Sequence, residues 1–215
     1  MELDLFDTEF NGVLQARTYE AFGENLRAYD CRRCPRAAAR HRIVVDRGNP
    51  AAPIMIISER PGENEDARGL AFVGRAGELL DKIMAAIRLD TNRDTLIANI
   101  VKCIAEEDRA PTAEEAQACR PFLERQLELV KPKVVILLGA VAYKYVAGVS
   151  DDSFSMEQDA GKFLELPAYP GVKFMVLYHP AFLLRDPTKK RDMWQHVQEL
   201  RRYLDTLPEF AKAGT

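Results

Sequence analysis

The sequence predicts an α/β protein: a three-layer α/β/α sandwich with a mostly parallel central sheet. The chain contains four short, nearly continuous apolar runs rich in β-branched residues, and segments with helical periodicity lie between them. Strands that are covered by helices on both faces have such unbroken apolar sequences. Neighbouring parallel strands are joined by crossover helices. Its 215 residues suffice for one sizeable core but are few for two catalytic domains, so we expect a single domain over residues 1–215.

The predicted elements follow one another in regular alternation. The strands are predicted at residues 53–58, 95–100, 133–139 and 173–178. The helices are predicted at residues 77–88, 112–130, 141–147 and 192–207. The second helix begins with a capping box, in which Thr112 is the cap and Glu115 stands three residues later. We interpret residues 1–17 as an N-terminal extension and residues 211–215 as a loose tail.

Composition excludes several classes of protein. A hydrophobic fraction of 47% with 29% charged residues rules out a disordered chain, a collagen-like chain and a disulfide scaffold. No run approaches 18 apolar residues, and the first ten residues are acidic where a signal peptide would be basic and then apolar. We therefore expect a cytoplasmic protein without a membrane segment.

Charge is distributed unevenly along the chain. The formal net charge of −3 does not indicate a nucleic-acid-binding protein. Residues 27–47, however, hold seven arginines against two acids, and residues 179–203 hold six basic residues against three acids. Such windows suit a polyanion but also occur on solvated surface helices. Within the second window, the apolar residues 181–184 precede Arg185 in a predicted loop, which suggests a wedge facing a partner.

Three predicted strand ends carry polar residues, and ligands of parallel sheets bind beyond these ends. After Ser58 comes a long, glycine-containing polar loop, in which Phe72 would either stack on a planar ligand or plug the core. Asn99 ends the second strand, where its amide could match a pyrimidine edge or form a turn. His179 follows the fourth strand and is either catalytic or structural.

The four cysteines have the spacing C-x₂-C, then 68 residues, then C-x₁₅-C. Structural disulfides are rare in intracellular proteins, so the cysteines are either metal ligands or small buried side chains. Four thiolates suit a tetrahedral zinc ion or a four-iron cluster. Spacing alone leaves these alternatives open.

Together these residues resemble the iron–sulfur, or family 4, uracil-DNA glycosylases of the uracil-DNA glycosylase superfamily. The resemblance runs from about Cys31 to Leu204, and its motifs occur in the family order. Besides the cysteines, it is carried by residues 58–62 (S-E-R-P-G), 65–66 (E-D), 69–77 (G-L-A-F-V-G-R-A-G), 99–103 (N-I-V-K-C) and 179–185 (H-P-A-F-L-L-R). The resemblance implies the fold of that superfamily.

The resemblance also assigns roles within a base pocket. Phe72 would stack on the flipped base, Asn99 would read the uracil edge, and His179 would meet its O2 atom. Glu65 would lie near the C5 edge, and Glu59 would arrange the pocket and its water. The ligands of a structural 4Fe-4S cluster would be Cys31, Cys34, Cys103 and Cys119.

Contacts with DNA are expected after the last strand. Leu183 and Leu184 would fill the space that the flipped nucleotide leaves in the stack. Arg185 and Lys189 would lie against phosphates. The expected substrate is uracil-containing DNA, single- or double-stranded, bound by a monomer.

The implied activity is that of a monofunctional, hydrolytic glycosylase in DNA repair. It would rotate uracil out of DNA, hydrolyse the N-glycosidic bond and leave an abasic site. Two alternatives stay open, namely a catalytically weak protein that binds uracil or damaged DNA, and an iron–sulfur protein with a redox role.

Three positions depart from the family pattern. Ser58 replaces the first glycine of its motif, Arg60 replaces a small residue, and residues 104–109 replace R-P-P-x-N-R. An Arg60 side chain inside the pocket would repel the oxocarbenium-like sugar, whereas an outward side chain could hold a phosphate. We expect the outward pose, because burying an unpaired guanidinium group is unfavourable.

Overall fold

The computed structural model describes residues 7–149 and 154–210. Its sheet has six strands in the order β1-β3-β2-β4-β6-β5, and the central pairs are parallel. The strands are β1 (Arg47–Gly48), β2 (Ile54–Ser58), β3 (Thr95–Asn99), β4 (Val134–Leu138), β5 (Phe163–Leu164) and β6 (Lys173–Leu177). The two-residue strands at the edges pair antiparallel. The prediction of a mostly parallel sheet is confirmed.

The helices connect the strands and flank the sheet. They are α1 (Thr8–Leu14), α2 (Tyr19–Ala28), α3 (Glu63–Arg68), α4 (Arg75–Ala86), α5 (Ala113–Val130), α6 (Ala140–Ala147), α7 (Pro180–Arg185) and α8 (Lys190–Leu204). The four predicted helices correspond to α4, α5, α6 and α8. The prediction of a loop after His179 is wrong, because α7 occupies it. Its six residues are too few for helical periodicity to be recognised.

Alternate residues of the central strands face two separate hydrophobic cores. Met55 and Ile57 of β2 pack into one core with residues of α1, α2 and α5. Ile54 and Ile56 pack into the other core with residues of α4 and α8. Helices therefore cover both faces of the sheet, which confirms the three-layer arrangement.

The N-terminal segment contributes to the first of these cores. Helix α1 begins after Asp7, whose side chain accepts a hydrogen bond from the backbone N–H of Phe10, and it buries Phe10, Val13 and Leu14. Residues 7–17 are thus part of the packed domain rather than an appended extension. The predicted tail, 211–215, lies outside the described residues. Within the described ranges, no helix combines the length and apolar character needed to cross a membrane.

The register of the strands brings their carboxyl ends together. Ser58 of β2 is opposite Asn99 of β3, and Leu138 of β4 is opposite Leu177 of β6. Because β2 and β4 are neighbours, the residues that follow these four strands share one edge of the sheet. Polar side chains predicted from three separate motifs therefore meet at a single place.

Candidate active site and cysteine cavity

A pocket of about 620 Å³ opens at this edge of the sheet. The predicted site residues that line it are Glu59, Arg60, Glu65, Phe72, His179 and Arg185. Residues 139–141, at the start of α6, also line the pocket, although the sequence analysis did not single them out. Gly139 follows β4 directly and has a φ of +88°, so the glycine at the end of the third predicted strand was the available signal.

His179 is held on both sides of its imidazole ring. The backbone N–H of Ala181 donates to Nδ1 at 3.0 Å, and Nε2 lies 2.9 Å from Oγ of Ser58. Burial, together with the charges of Arg60 and Arg185, lowers the pKa of His179 to about 4. The ring is therefore neutral at pH 7, with its proton on Nε2.

Asn99 is the last residue of β3, is only 1% exposed, and is not among the residues that line the pocket. Neither its Oδ1 nor its Nδ2 has a hydrogen-bond partner among the described residues. A buried amide left without partners costs about 1–3 kcal/mol, which a native structure accepts where a ligand supplies the missing bonds. The turn-forming alternative is not observed, since a turn would satisfy the amide locally.

Phe72 lines the pocket and packs beside His179, with 5.7 Å between the ring centroids. Its φ is +54°, a strained value for an aromatic residue, and such strain concentrates at functional sites. The next helix approaches its carbonyl so closely that a Cβ atom at Gly77 would lie 1.9 Å from the oxygen. Glycine is therefore required at position 77 for Phe72 to keep this position.

Glu65 organises the two loops that shape the pocket. Its Oε1 accepts hydrogen bonds from the backbone N–H groups of Val73 and Gly74, both at 2.8 Å, and its Oε2 accepts one from Gly62 at 3.1 Å. The carboxylate thus fixes the segment that follows Phe72. Its observed contacts are those of a residue that positions the pocket wall.

Arg60 departs from the outward pose that the sequence analysis expected. Its side chain is 20% exposed and lines the pocket, with Nε 3.8 Å from Oε1 of Glu59 and a bond from Nη1 to the Pro61 carbonyl at 3.2 Å. The expectation gave more weight to the cost of burying a guanidinium group than to its pairing with a nearby glutamate. Glu59 compensates it here, so the outward pose is wrong.

The residues expected at the DNA differ in accessibility. Leu183 is fully buried in the second core, whereas Leu184 is 39% exposed. The expectation that both leucines enter the DNA stack is therefore wrong for Leu183, because helical geometry turns neighbouring residues to different sides. Arg185 is exposed at the pocket, while Lys189 pairs with Glu157 at 3.3 Å and lies away from the pocket lining.

The four cysteines line a second, much smaller cavity of about 20 Å³. Cys103 and Cys119 are buried, and Cys31 and Cys34 are partly exposed. Burial raises the pKa of Cys119 to about 11 and that of Cys103 to about 12. Both cysteines are therefore protonated thiols when no metal ion is bound. As the side chains stand, the described residues contain no group of three or more His, Cys, Asp or Glu arranged to hold a metal ion.

A buried ion pair joins the segments that carry the cysteines. Arg36, close to the C-x₂-C pair, bonds Oε2 of Glu115 at 2.9 Å and the Cys103 carbonyl at 3.2 Å. Arg109 bonds Oε1 of the same carboxylate at 2.6 Å. Arg109, the backbone N–H of Thr112 and Arg36 together lower the pKa of Glu115 to about 2.

Lys102 links the cysteine cavity to the end of β3. It is fully buried, lines the cavity, and donates from Nζ to the Asn99 carbonyl at 2.7 Å and to Oε1 of Gln126. The backbone of Asn99 is therefore fixed by a residue adjacent to Cys103.

The fold and the pocket define an α/β protein with a site at the carboxyl edge of a parallel sheet. The pocket there has an aromatic ring and a neutral imidazole, and the same edge holds an amide without partners among the described residues. Such a set of groups suits a planar, polar ligand. The chain belongs to the uracil DNA glycosylase superfamily, whose family model matches residues 45–201. The resemblance drawn from the motifs is thus confirmed.

Three curated relatives are similar over most of their length. The type-4 uracil-DNA glycosylase of Archaeoglobus fulgidus is 35% identical over 164 residues, 75% of this chain and 82% of the relative. That of Saccharolobus solfataricus is 35% identical over 181 residues, 83% of each chain. That of Thermotoga maritima is 34% identical over 182 residues, 83% of this chain and 91% of the relative.

Proposed function

We propose that this protein is a DNA-repair uracil glycosylase, which flips uracil out of DNA and hydrolyses its N-glycosidic bond. The observation that carries the proposal is the buried Asn99 amide, which has no partner in the part of the chain that the structure describes and lies at the same strand edge as the neutral His179. Three relatives named type-4 uracil-DNA glycosylases support it. The alternatives of a damage-binding protein and a redox protein are not favoured.

Recognition of the base uses three groups. Phe72 stacks on the flipped ring, while the Asn99 amide accepts from N3–H and donates to O4 of uracil. Each such pair of contacts discriminates between bases by about 1–3 kcal/mol. Cytosine carries an amino donor at C4 and no N3–H, so it mismatches the amide in the orientation that binds uracil.

Cleavage leaves the bonding electron pair on N1 of uracil and positive character on the sugar. His179 stabilises the departing anion by donating Nε2–H to O2, and one such donor contributes about 3 kcal/mol in other enzymes. Glu59 arranges the attacking water, and its carboxylate offsets the Arg60 charge near the sugar. Water then supplies hydroxide to C1′ and a proton to the solution.

Single-turnover assays on labelled oligonucleotides test this function. With enzyme in excess, we expect abasic sites at uracil and none at thymine or cytosine, and strand breaks only after alkali because the enzyme is monofunctional. Binding of uracil-containing DNA without any cleavage would contradict the proposal and favour the damage-binding alternative.

DNA would lie across the pocket mouth, where Arg185 is exposed and α7 presents Leu184. The leucine would enter the base stack and offset part of the cost of flipping. We propose that the protein acts as a monomer, in the cytoplasm, on single- and double-stranded DNA.

We further propose that Cys31, Cys34, Cys103 and Cys119 hold a 4Fe-4S cluster. Four thiol donors face one cavity bordered by Arg33, Arg40 and Lys102, so the donor set fits an anionic, thiolate-bound cluster. When bound, the cluster supplies structural cross-linking rather than chemistry at the base. Anaerobically purified protein should be brown and contain about four irons and four sulfides per chain, whereas a colourless protein with one zinc would contradict the assignment.

A further inference from the structure

Ser58 makes a contact that neither motif nor pocket shape predicts. It is the last residue of β2 and is fully buried, and its Oγ lies 2.9 Å from Nε2 of His179. Because the backbone N–H of Ala181 donates to Nδ1, the neutral ring carries its single proton on Nε2. The imidazole therefore donates and the serine hydroxyl accepts.

This hydrogen bond uses Nε2–H, which is the single N–H donor of the neutral imidazole ring. His179 lines the pocket, but Ser58 is not part of the pocket lining. The neutral state is stable at pH 7, because burial lowers the pKa of His179. Without a base in the pocket, the Nε2 proton is thus engaged by a buried serine that does not line the pocket.

A base entering the pocket needs the same proton. In the proposed reaction, O2 of uracil accepts from Nε2–H, and this bond strengthens as charge develops on the departing base. A neutral ring has no second N–H to offer. Oγ of Ser58 and O2 of uracil therefore compete for one donor, and a glycine, the residue of the similar motif, offers no such competitor.

We propose that Ser58 is a positioning residue that keeps the His179 donor engaged until a base carbonyl displaces the serine hydroxyl. The proposal rests on the proposed glycosylase function. It predicts that the hydroxyl slows cleavage, since its hydrogen bond to His179 must be given up before the transition state. Removing the hydroxyl should raise the single-turnover rate about tenfold, the value of one neutral hydrogen bond.

The first test compares single-turnover cleavage of uracil-containing DNA by wild type, Ser58→Ala and Ser58→Gly. Thr95→Val is the matched control, because it removes another fully buried hydroxyl of the sheet, one bonded to the Thr91 carbonyl. We expect both Ser58 variants to be faster and Thr95→Val to cleave at the wild-type rate. Thermal unfolding of each variant verifies that it is folded.

The second test follows the proton itself by NMR of protein labelled with ¹⁵N-histidine. The chain has three histidines, so single His→Ala variants assign the signals. In Ser58→Ala, His179 should keep the Nε2–H tautomer, because Ala181 still donates to Nδ1, while its Nε2 proton exchanges faster with water. A change of tautomer, or unchanged exchange, would overturn the proposal.

The outcomes separate this proposal from the proposed function. Cleavage by wild type with an equal or slower rate in the Ser58 variants overturns the role of Ser58 alone and makes the serine an aligning group. Cleavage by wild type with a faster rate in both Ser58 variants, and an unchanged rate in Thr95→Val, supports the proposal. No cleavage by any of these proteins overturns the proposed function, and this proposal with it.

Discussion

The base pocket and the cysteine cavity differ in how their buried polar groups are satisfied. At the strand edge where the pocket opens, both polar atoms of the Asn99 amide lack partners among the described residues, and Phe72, which lines the pocket, has a strained backbone. Beside the cysteines, Arg36 and Glu115 are deeply buried and fully engaged with each other, with Arg109 and with backbone groups. Polar groups without hydrogen-bond partners indicate where a ligand binds, here at the base pocket. Polar groups whose hydrogen bonds are complete indicate a structural role, here beside the cysteines.

The largest expected effect is on stability and concerns the Arg36–Glu115 ion pair beside the cysteines. Glu115→Gln should lower the free energy of unfolding by about 3–5 kcal/mol, because it leaves the buried Arg36 charge uncompensated. Denaturant unfolding measures this change. Glu114→Gln is the matched control on the same turn, and because its side chain is exposed it should lower the stability much less than Glu115→Gln. Equal effects for both variants would show that the ion pair does not hold the segments together.

Acid should weaken the same ion pair. Glu115 has a pKa of about 2 in the folded protein, against 4.5 for an ordinary glutamate. Its contribution to stability is therefore complete above about pH 4.5 and is lost as the pH falls towards 2. Wild-type protein should lose more stability over this range than Glu115→Gln, and parallel losses would contradict the assignment.

The next largest effect should come from losing the N–H donor of His179 in the pocket, and it is an effect on the cleavage rate. His179→Ala should slow single-turnover cleavage by about 100- to 1000-fold, the effect of removing one oxyanion donor in other enzymes. His41→Ala is the control, since its ring is exposed, lies outside the pocket lining and bonds Asp66. A rate loss below tenfold for His179→Ala would mean that the imidazole does not stabilise the departing base.

The positive charge of Arg60 should lower the pKa of the His179 imidazole. Arg60→Ala removes a cation that lowers the pKa of His179, so the pKa should rise from about 4 while staying below 6.5 because the ring remains buried. NMR titration of the ring measures the shift. Arg75→Ala is the control, because Arg75 also lines the pocket yet is not among the charges acting on His179. Equal shifts in both variants would contradict the local interaction between Arg60 and His179.

The smallest expected effect concerns the DNA backbone. Arg185→Ala should weaken binding to many sequences about equally and reduce the slope of log affinity against log salt by about one. Lys189→Ala should change the slope less, because Glu157 and Asp192 already pair with that lysine. A larger slope change for Lys189→Ala would place the DNA over α8 instead of the pocket mouth.

The sequence was sufficient for features that depend on short patterns. Apolar runs located the four parallel strands, and the polar residues after them located Asn99 and His179. Contacts between distant residues were not predictable in this way. The pairing of Arg60 with Glu59 and the hydrogen bond between Ser58 and His179 depend on side-chain packing, and the burial of Leu183 depends on α7, which is too short to show a period.

Cleavage by Asn99→Ala tests most directly the claim that the unsatisfied amide reads uracil. Wild type should convert uracil in DNA to abasic sites in a single turnover, and Asn99→Ala should do so about 10- to 100-fold more slowly, as the loss of about 1–3 kcal/mol of base recognition predicts. Equal rates for the two proteins, with both folded, would contradict the account.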